Sequence, residues 1–510
     1  MKKTRILALV LAVVMVAALF VGCSNTENPA DTTAATTTAA TTTAATTTEA
    51  TTTEATTTEA TTTEATTTEA TTTEATTTEA TTTEEPKIDL EGYEFIVGIK
   101  SWEVYYPTLE NALHDEWRDE YDRIQDEYNF ILNIQPASYK SADAATYIMS
   151  GDFPYDVHEL KTCTIFPWAM RNGIQNMAAD EMLANGIDVN DPNLFYQPST
   201  QWTNLKGGTW GFTFASKYSL PEYGYCLMFN KDLCDSAGYP AEKLYELARN
   251  REWTFDVYKD LCSKIVKDND GDGVYDVYAT GGGYSPWCSE IMLAGGNCIT
   301  EVDGKLVYTL DTPEALKGLE FMQYEFAESG WRNYTPDPDG FTCDSGEDRA
   351  AFENGKVGIL WAPGHLLTDE EIKAFDVDFG YLPMPICAPR TEYVDVFSTP
   401  KVLCMYANNP DLEKNCQALK IWASVINNAE NWKDEFRDYF CRGDETDWEI
   451  FYDCILTKVE FGTYKISDEM ASLFESEAMD MIVTGERTAA QAIEAVQPGM
   501  QKLLDDMFNQ

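Results

Sequence analysis

The sequence predicts an α/β protein, and two observations carry that expectation. Residues Tyr93-Glu94-Phe95-Ile96-Val97-Gly98-Ile99 alternate Phe95, Val97 and Ile99 with the period of a strand. After a loop with Lys100, Trp102, Tyr105 and Tyr106, the residues Leu109, Leu113, Trp117, Tyr121, Ile124 and Tyr128 fall on one helical face. Strand, loop and helix in that order begin a βαβ unit, the building block of parallel sheets covered by helices. Ligands of such sheets gather beyond the carboxyl ends of the strands, which makes the Trp102 loop a natural contact; the same rings could equally cap a core.

The later elements follow in order. Ser150-Gly151-Asp152-Phe153-Pro154-Tyr155-Asp156-Val157 reads as a turn entering a short strand. Gly208 to Ala215 and Gly224 to Asn230 read as paired strands, the second running into Lys231-Asp232-Leu233. Trp253-Thr254-Phe255-Asp256 opens a helix through Val266, with Thr254 as its N-cap. Asp311-Thr312-Pro313-Glu314-Ala315 leads into a helix around Leu319, and Ala351 to Ile359 runs to Trp361. A further helix is expected after Asn409-Pro410-Asp411, then a helical tail from Asp468.

The front of the chain is of another kind. Lys2, Lys3 and Arg5 precede an apolar run from Ile6 to Val21, the layout of a secretory signal peptide over 1–22. Gly22-Cys23 at the cleavage position resembles the lipobox of bacterial lipoproteins, which implies a lipid anchor (palmitate among its chains) on Cys23. A plain signal peptide, or a retained membrane anchor, with Cys23 incidental, is the alternative. Over 23–87, Thr-Thr-Thr-Glu-Ala repeats place Glu49, Glu54, Glu59, Glu64, Glu69, Glu74 and Glu79 five residues apart. That spacing matches neither the helix nor the strand, and no large apolar side chain is present to bury, so this low-complexity tether is expected to be disordered. About 60 residues reach at most roughly 200 Å, a display arm for a cell-wall-covered surface, most readily a Gram-positive one.

Residues 88–510 have a folded composition, rich in aromatic and aliphatic side chains. The formal net charge of −49 makes nucleic acid and anionic lipid poor partners and leaves neutral or cationic solutes as better ones. Twelve cysteines lie between Cys163 and Cys454 with no CxxC pair and no histidine at zinc spacing. Disulfides and buried reduced thiols are both compatible with that pattern. Only three histidines are present, His114, His158 and His365, and no GxSxG elbow or HExxH helix appears, so the residues point away from an enzyme.

Taken together, Gly-Asp-x-Pro-x-Asp-Val at 151–157, Tyr-x-Leu-x-x-Asn-Lys-Asp-Leu at 225–233 and Trp-Thr-x-Asp at 253–256 come in a telling order. An Asp-rich loop, Gly295-Gly296-Asn297, the Gly355-Lys356-Val357-Gly358-Ile359 segment and Asp378-Phe379-Gly380-Tyr381-Leu382-Pro383 follow. This series, spanning nearly all of 88–510, resembles the family 1 extracellular solute-binding proteins, the maltose-binding-protein-like receptors of ABC sugar importers. The resemblance implies a two-lobed periplasmic-binding-protein-like fold of type II. By that analogy one lobe covers about 88–205 and 394–460, and the other about 206–393 and 461–510. It further implies a monomeric cell-surface lipoprotein that closes on a sugar or oligosaccharide. Separate ABC permease subunits and a separate ATPase would complete the importer.

Two site expectations go with it. Asp268, Asp270, Asp272 and Asp276 stand at positions 1, 3, 5 and 9 of an EF-hand-like loop, with Gly273 at 6 and the Val274 carbonyl at 7; Ala279 replaces the usual glutamate at 12. That oxygen set suits a structural Ca2+, and family members carry a similar loop; an Asp/Gly turn without an ion is the alternative. For the ligand, Trp361 occupies the place where the family often puts a stacking tryptophan, followed by His365. Trp102, Tyr284, Trp287, Tyr223, Tyr225 and Glu159 are further candidates, each also compatible with a core or surface role. A secreted carbohydrate-active hydrolase or lyase, or an adhesin or sensor of the same fold, are the competing functions.

Overall fold

The computed structural model describes residues 88–509 apart from 101, 109, 111, 217–224, 282–288, 333–345, 364–374, 398–399, 428–431, 436, 439–440, 457 and 462–464. Cys23 and the 23–87 tether lie outside the described residues. Among those described, no helix is long and apolar enough to cross a membrane.

Two four-stranded sheets organise this part of the chain. The first has the order Lys401–Cys404, Val157–Lys161, Tyr93–Ile99, Phe130–Pro136. Tyr93–Ile99 runs parallel to both of its neighbours, and Lys401–Cys404 pairs antiparallel with Val157–Lys161. Helices Ala112–Tyr128 and Ser141–Ser150 make the two crossovers, as the strand-loop-helix reading requires. The helix buries Trp117, Tyr121 and Ile124 against Phe95 and Val97, and Trp422 of Leu412–Ile426 joins them, its indole N–H donating to the Tyr121 hydroxyl at 2.9 Å. Gly98 is required here: a Cβ would meet the Tyr155 ring at 2.6 Å. On the other face Leu160, Ile165, Val402 and Tyr406 form a smaller core.

The second sheet has the order Phe379–Leu382, Tyr225–Asn230, Val357–Pro363, Tyr278–Gly281. Tyr225–Asn230 is central and buried at every residue, which explains its unbroken apolar run. It pairs antiparallel with Val357–Pro363 and with Phe379–Leu382, and not with the 208–215 segment expected to be its partner. In that segment only Gly208–Thr209 is strand, paired to Asn204–Leu205, while Phe212 bridges Leu403 of the first sheet. Helix Phe255–Ile265 covers this sheet, and the Thr254 side chain accepts from the Val257 N–H at its start.

A third core joins Pro313–Gln323, the Ile299–Val302/Lys305–Tyr308 hairpin and the terminal helix Ala489–Phe508, which starts with a Thr488/Gln491 capping box; Phe166 of Thr162–Ala169 enters it. The cores correct the expected lobe boundaries. Leu412–Ile426 packs on the first sheet, but Ile450, Phe451, Cys454 and Ile455 belong to the core of the second, as do Val394 and Val396. The 394–460 stretch therefore serves both sheets. The ten described cysteines are all buried.

Candidate functional site

Strand direction locates the site. In the first sheet the carboxyl ends are Ile99, Pro136 and Lys161, and antiparallel Lys401 starts at that same end, opposite Lys161. In the second they are Gly281, Pro363 and Leu382, with antiparallel Tyr225 starting opposite Pro363. Open α/β sheets hold ligands beyond these ends.

At the first sheet's end the geometry is well defined. The Lys100 backbone N–H donates to Glu159 Oε2 at 2.6 Å, and the Ala137 N–H to the Ile99 carbonyl at 2.6 Å, so the turns leaving neighbouring strands are tied together. Glu159 is 1% exposed and holds this end in place rather than facing a solute. Half-buried Tyr139 lies under the Lys161 ammonium, 4.7 Å from the ring centroid. Behind them His158 is buried between Ser138 and Tyr406: Nε2 lies 3.0 Å from the Ser138 carbonyl and Nδ1 2.6 Å from the Tyr406 hydroxyl. A carbonyl only accepts, so Nε2 carries the proton and Nδ1 accepts from Tyr406. Burial pushes the His158 pKa down to about 4, against small opposing pulls from Ser138 and Asp143. Next along, Cys163 is buried and its thiol is pushed up to about 12, by burial first and Asp468 second. Asp468 also accepts from Ser141.

The second sheet's end continues in sequence into segments where Tyr223, Tyr284, Trp287 and His365 fall, all outside the described residues. Trp102 is in the short helix Trp102–Tyr105, its side chain also outside them. Tyr225 is 8% exposed and packs in the second core.

Trp361 is a correction. It is 1% exposed, its indole N–H donates to the Tyr258 hydroxyl at 2.9 Å, and the Arg332 guanidinium lies 5.1 Å from its ring. Tyr258 in turn donates to Glu325 Oε1 at 2.9 Å, which Arg332 also reaches at 2.8 Å. At 1% exposure and with its N–H engaged inside the protein, Trp361 has no surface to offer a sugar.

In the acidic loop, Asp268, Asp270 and Asp276 bring carboxylate oxygens within 4.8 Å of one another. Asp268 also takes the Gly271 and Gly273 N–H groups, and those glycines, at φ of 77° and 90°, let the loop wrap. Asp272 stands apart, accepting from the Val274 N–H at 2.7 Å, and Val274 is 59% exposed. The loop precedes Tyr278–Gly281, so it lies at the amino end of that strand, away from the carboxyl end.

Tyr139 and Lys161 went unnoticed in the sequence. Their signal is position alone: each stands at or just after the carboxyl end of a strand.

Comparison with known proteins agrees with this layout. Residues 173–411 match the model of the bacterial extracellular solute-binding proteins. That stretch resembles the family; the match spans a little under half of the chain. Among solved structures, the two-lobed ABC substrate-binding protein Lmo0181 from Listeria monocytogenes, in complex with cycloalternan, is similar in fold. It has 14% identity, a TM-score of 0.55, and coverage of 81% of this chain and 98% of that one. The cyclic alpha-maltosyl-1,6-maltose binding protein from Arthrobacter globiformis has 16% identity, a TM-score of 0.53 and coverage of 81% and 100%. UgpB from Mycobacterium tuberculosis, in complex with glycerophosphocholine, has 15% identity, a TM-score of 0.54 and coverage of 81% and 98%. No curated protein matches in sequence. The likeness to these structures is one of fold: two α/β lobes, to which the two sheets described above correspond.

Proposed function

We propose that this solute-binding protein captures an extracellular carbohydrate between its lobes and passes it to the permease subunits of an ABC importer. The observation that carries the reading is the presence of two four-stranded sheets in one chain, the second leading in sequence from Leu382 to Lys401 of the first, with a fold like that of a protein in complex with cycloalternan and of a maltosyl-maltose binding protein. Contacts made to solute by both lobes would favour the closed form, the state a permease recognises. Cys23 would carry the lipid that keeps the receptor near its permease, with the 23–87 tether supplying reach. A thermal-shift screen of mono- and oligosaccharides, with peptides and polyamines as controls, tests the reading. A ligand at a hundred times its Kd adds about 2.7 kcal/mol of stability. A response to peptides or polyamines alone would overturn the carbohydrate assignment, and release of cleaved sugar would overturn binding without catalysis.

We also propose a structural Ca2+ in the acidic loop. Asp268, Asp270 and Asp276 fit a hard cation of six to eight oxygen ligands, with water or backbone oxygens completing the shell. Its place at the amino end of Tyr278–Gly281 supports a role in stability rather than in holding solute. EDTA should lower Tm, and Asp270→Asn should abolish that response; an unchanged Tm in EDTA would remove the ion.

A further inference from the structure

The charge at the first sheet's carboxyl end is opposite to that of the chain as a whole. The protein has 85 Asp+Glu against 36 Lys+Arg. Yet Lys100, Lys140, Lys161, Lys401 and Lys465 all stand at or next to this one end. Lys100 follows Ile99, Lys140 follows the turn after Pro136, and Lys161 closes its strand with Lys401 as its register partner. The Lys465 ammonium is near enough to Lys161 for the two charges to repel.

Three of the acidic groups nearby are already engaged. Glu159 is buried and takes the Lys100 backbone N–H, Asp468 accepts from Ser141, and Glu475 pairs with Lys465 at 2.7 Å. Asp143 lies in the first turn of Ser141–Ser150. None of them forms an ion pair with Lys100, Lys140 or Lys161 among the described residues, and the ammonium of Lys161 has only the Tyr139 ring beneath it. In a chain so rich in carboxylates, three cations left without a carboxylate at the ligand end are a selected arrangement and not an average one.

Two further details act in the same direction. Lys140 and Lys161 are the N-cap residues of Ser141–Ser150 and Thr162–Ala169, and neither helix start has a side-chain cap. The positive ends of both helix dipoles therefore add to the lysine field. Thr162, fully buried directly after Lys161, has a hydroxyl with no hydrogen-bond partner.

Resting on the carbohydrate reading above, we infer that the solute is an anionic sugar, a uronate or a sulfate ester. Lys161 and Lys100 meet its charge and the Tyr139 ring meets the apolar face of a pyranose. An ammonium is a compact point charge on a flexible stem, and it suits a carboxylate or a sulfate without demanding planar two-point geometry. The lysine field also opposes the chain's own repulsion of anions, and raises their concentration at the site in a salt-dependent way.

The test uses titration calorimetry on the full chain with four probes of matched length: an oligogalacturonate, a sulfated galactan oligosaccharide, a neutral xylo-oligosaccharide and a neutral malto-oligosaccharide. Expected is binding of one or both charged probes at least about tenfold tighter than of either neutral one, weakening as salt rises. The two charged arms tell a uronate from a sulfate ester. Lys161→Gln and Lys100→Ala should each weaken the charged probe by about tenfold or more with an unchanged melting temperature, and Lys161→Arg should recover most of the loss. Lys100 is exposed, so its variant reports on charge even if Lys161→Gln disturbs the fold. Tight binding of a neutral probe with no response to the charged ones would overturn this inference and leave the carbohydrate reading intact. Binding of an acidic peptide or glycerophosphodiester control with no response to any sugar would overturn the carbohydrate reading instead.

Discussion

Each sheet has a buried polar cluster beside it, and the two are built on opposite plans. Behind the first sheet, His158 sits between the Ser138 carbonyl and the Tyr406 hydroxyl as a neutral base, with Tyr155 and Phe153 around it. Beside the second, Glu325 and Arg332, both essentially unexposed, form an ion pair that Tyr258 and Trp361 extend through hydroxyl and indole. The first cluster avoids the desolvation cost of charge by giving up the proton. The second meets that cost with a partner charge, which makes either member expensive to remove alone. The first lobe should therefore be sensitive to acid and the second to mutation.

The largest effect is expected from Glu325→Ala, which leaves Arg332 buried beside Trp361 without its carboxylate: about 3–5 kcal/mol of stability lost, read by urea unfolding. Replacing both, Glu325→Met with Arg332→Met, should cost less than the single change. If it costs more, the second cluster is no ion pair in the sense argued.

Next comes acid. The folded His158 pKa of about 4 lies below the ordinary 6.5, so between those values the unfolded chain takes up a proton that the folded chain does not. The contribution of neutral His158 is full above pH 6.5 and lost as pH falls to about 4, a change of about 3 kcal/mol. Half-buried Asp156 and buried Asp447 titrate as well, both raised by desolvation, so the comparison is with His158→Gln. That variant should show a flatter dependence over this window; an identical slope would remove His158 as the cause.

The smallest is Thr254→Ala. Thr254 caps the helix that delivers Tyr258 to the second cluster, and its loss should cost about 1 kcal/mol with no change in pH dependence.

What was legible in the sequence is what is local. The strand Tyr93–Ile99, the Thr254 cap, the helix after Asp411 and the acidic turn each depend on a few adjacent residues, and each is found. Pairing across the chain was not. Tyr225–Asn230 takes its neighbours from 357–363 and 379–382, and nothing in its own residues names them. Trp361 failed for a related reason: from Val357 to Ala362 the strand lacks any polar alternation, and every described side chain there is buried. Periodicity could not tell a ring turned to solute from one turned to the core. Tyr139 and Lys161 failed the other way, since a lysine or tyrosine after a strand is ordinary until the register sets their neighbours beside them.

The strand Lys401–Cys404 closes the first sheet, and the hydroxyl that completes the His158 site comes from a residue 248 positions downstream. At synthesis rates of about 5–20 residues per second, that separation is roughly 12–50 s of chain growth. Throughout that interval the early half has its parallel strands but no partner for the Val157–Lys161 edge, and an unpaired edge invites pairing with other chains. Folding delayed until the whole chain has been made would remove the hazard. The interleaved topology thus makes the timing of folding relative to synthesis part of how this protein is made.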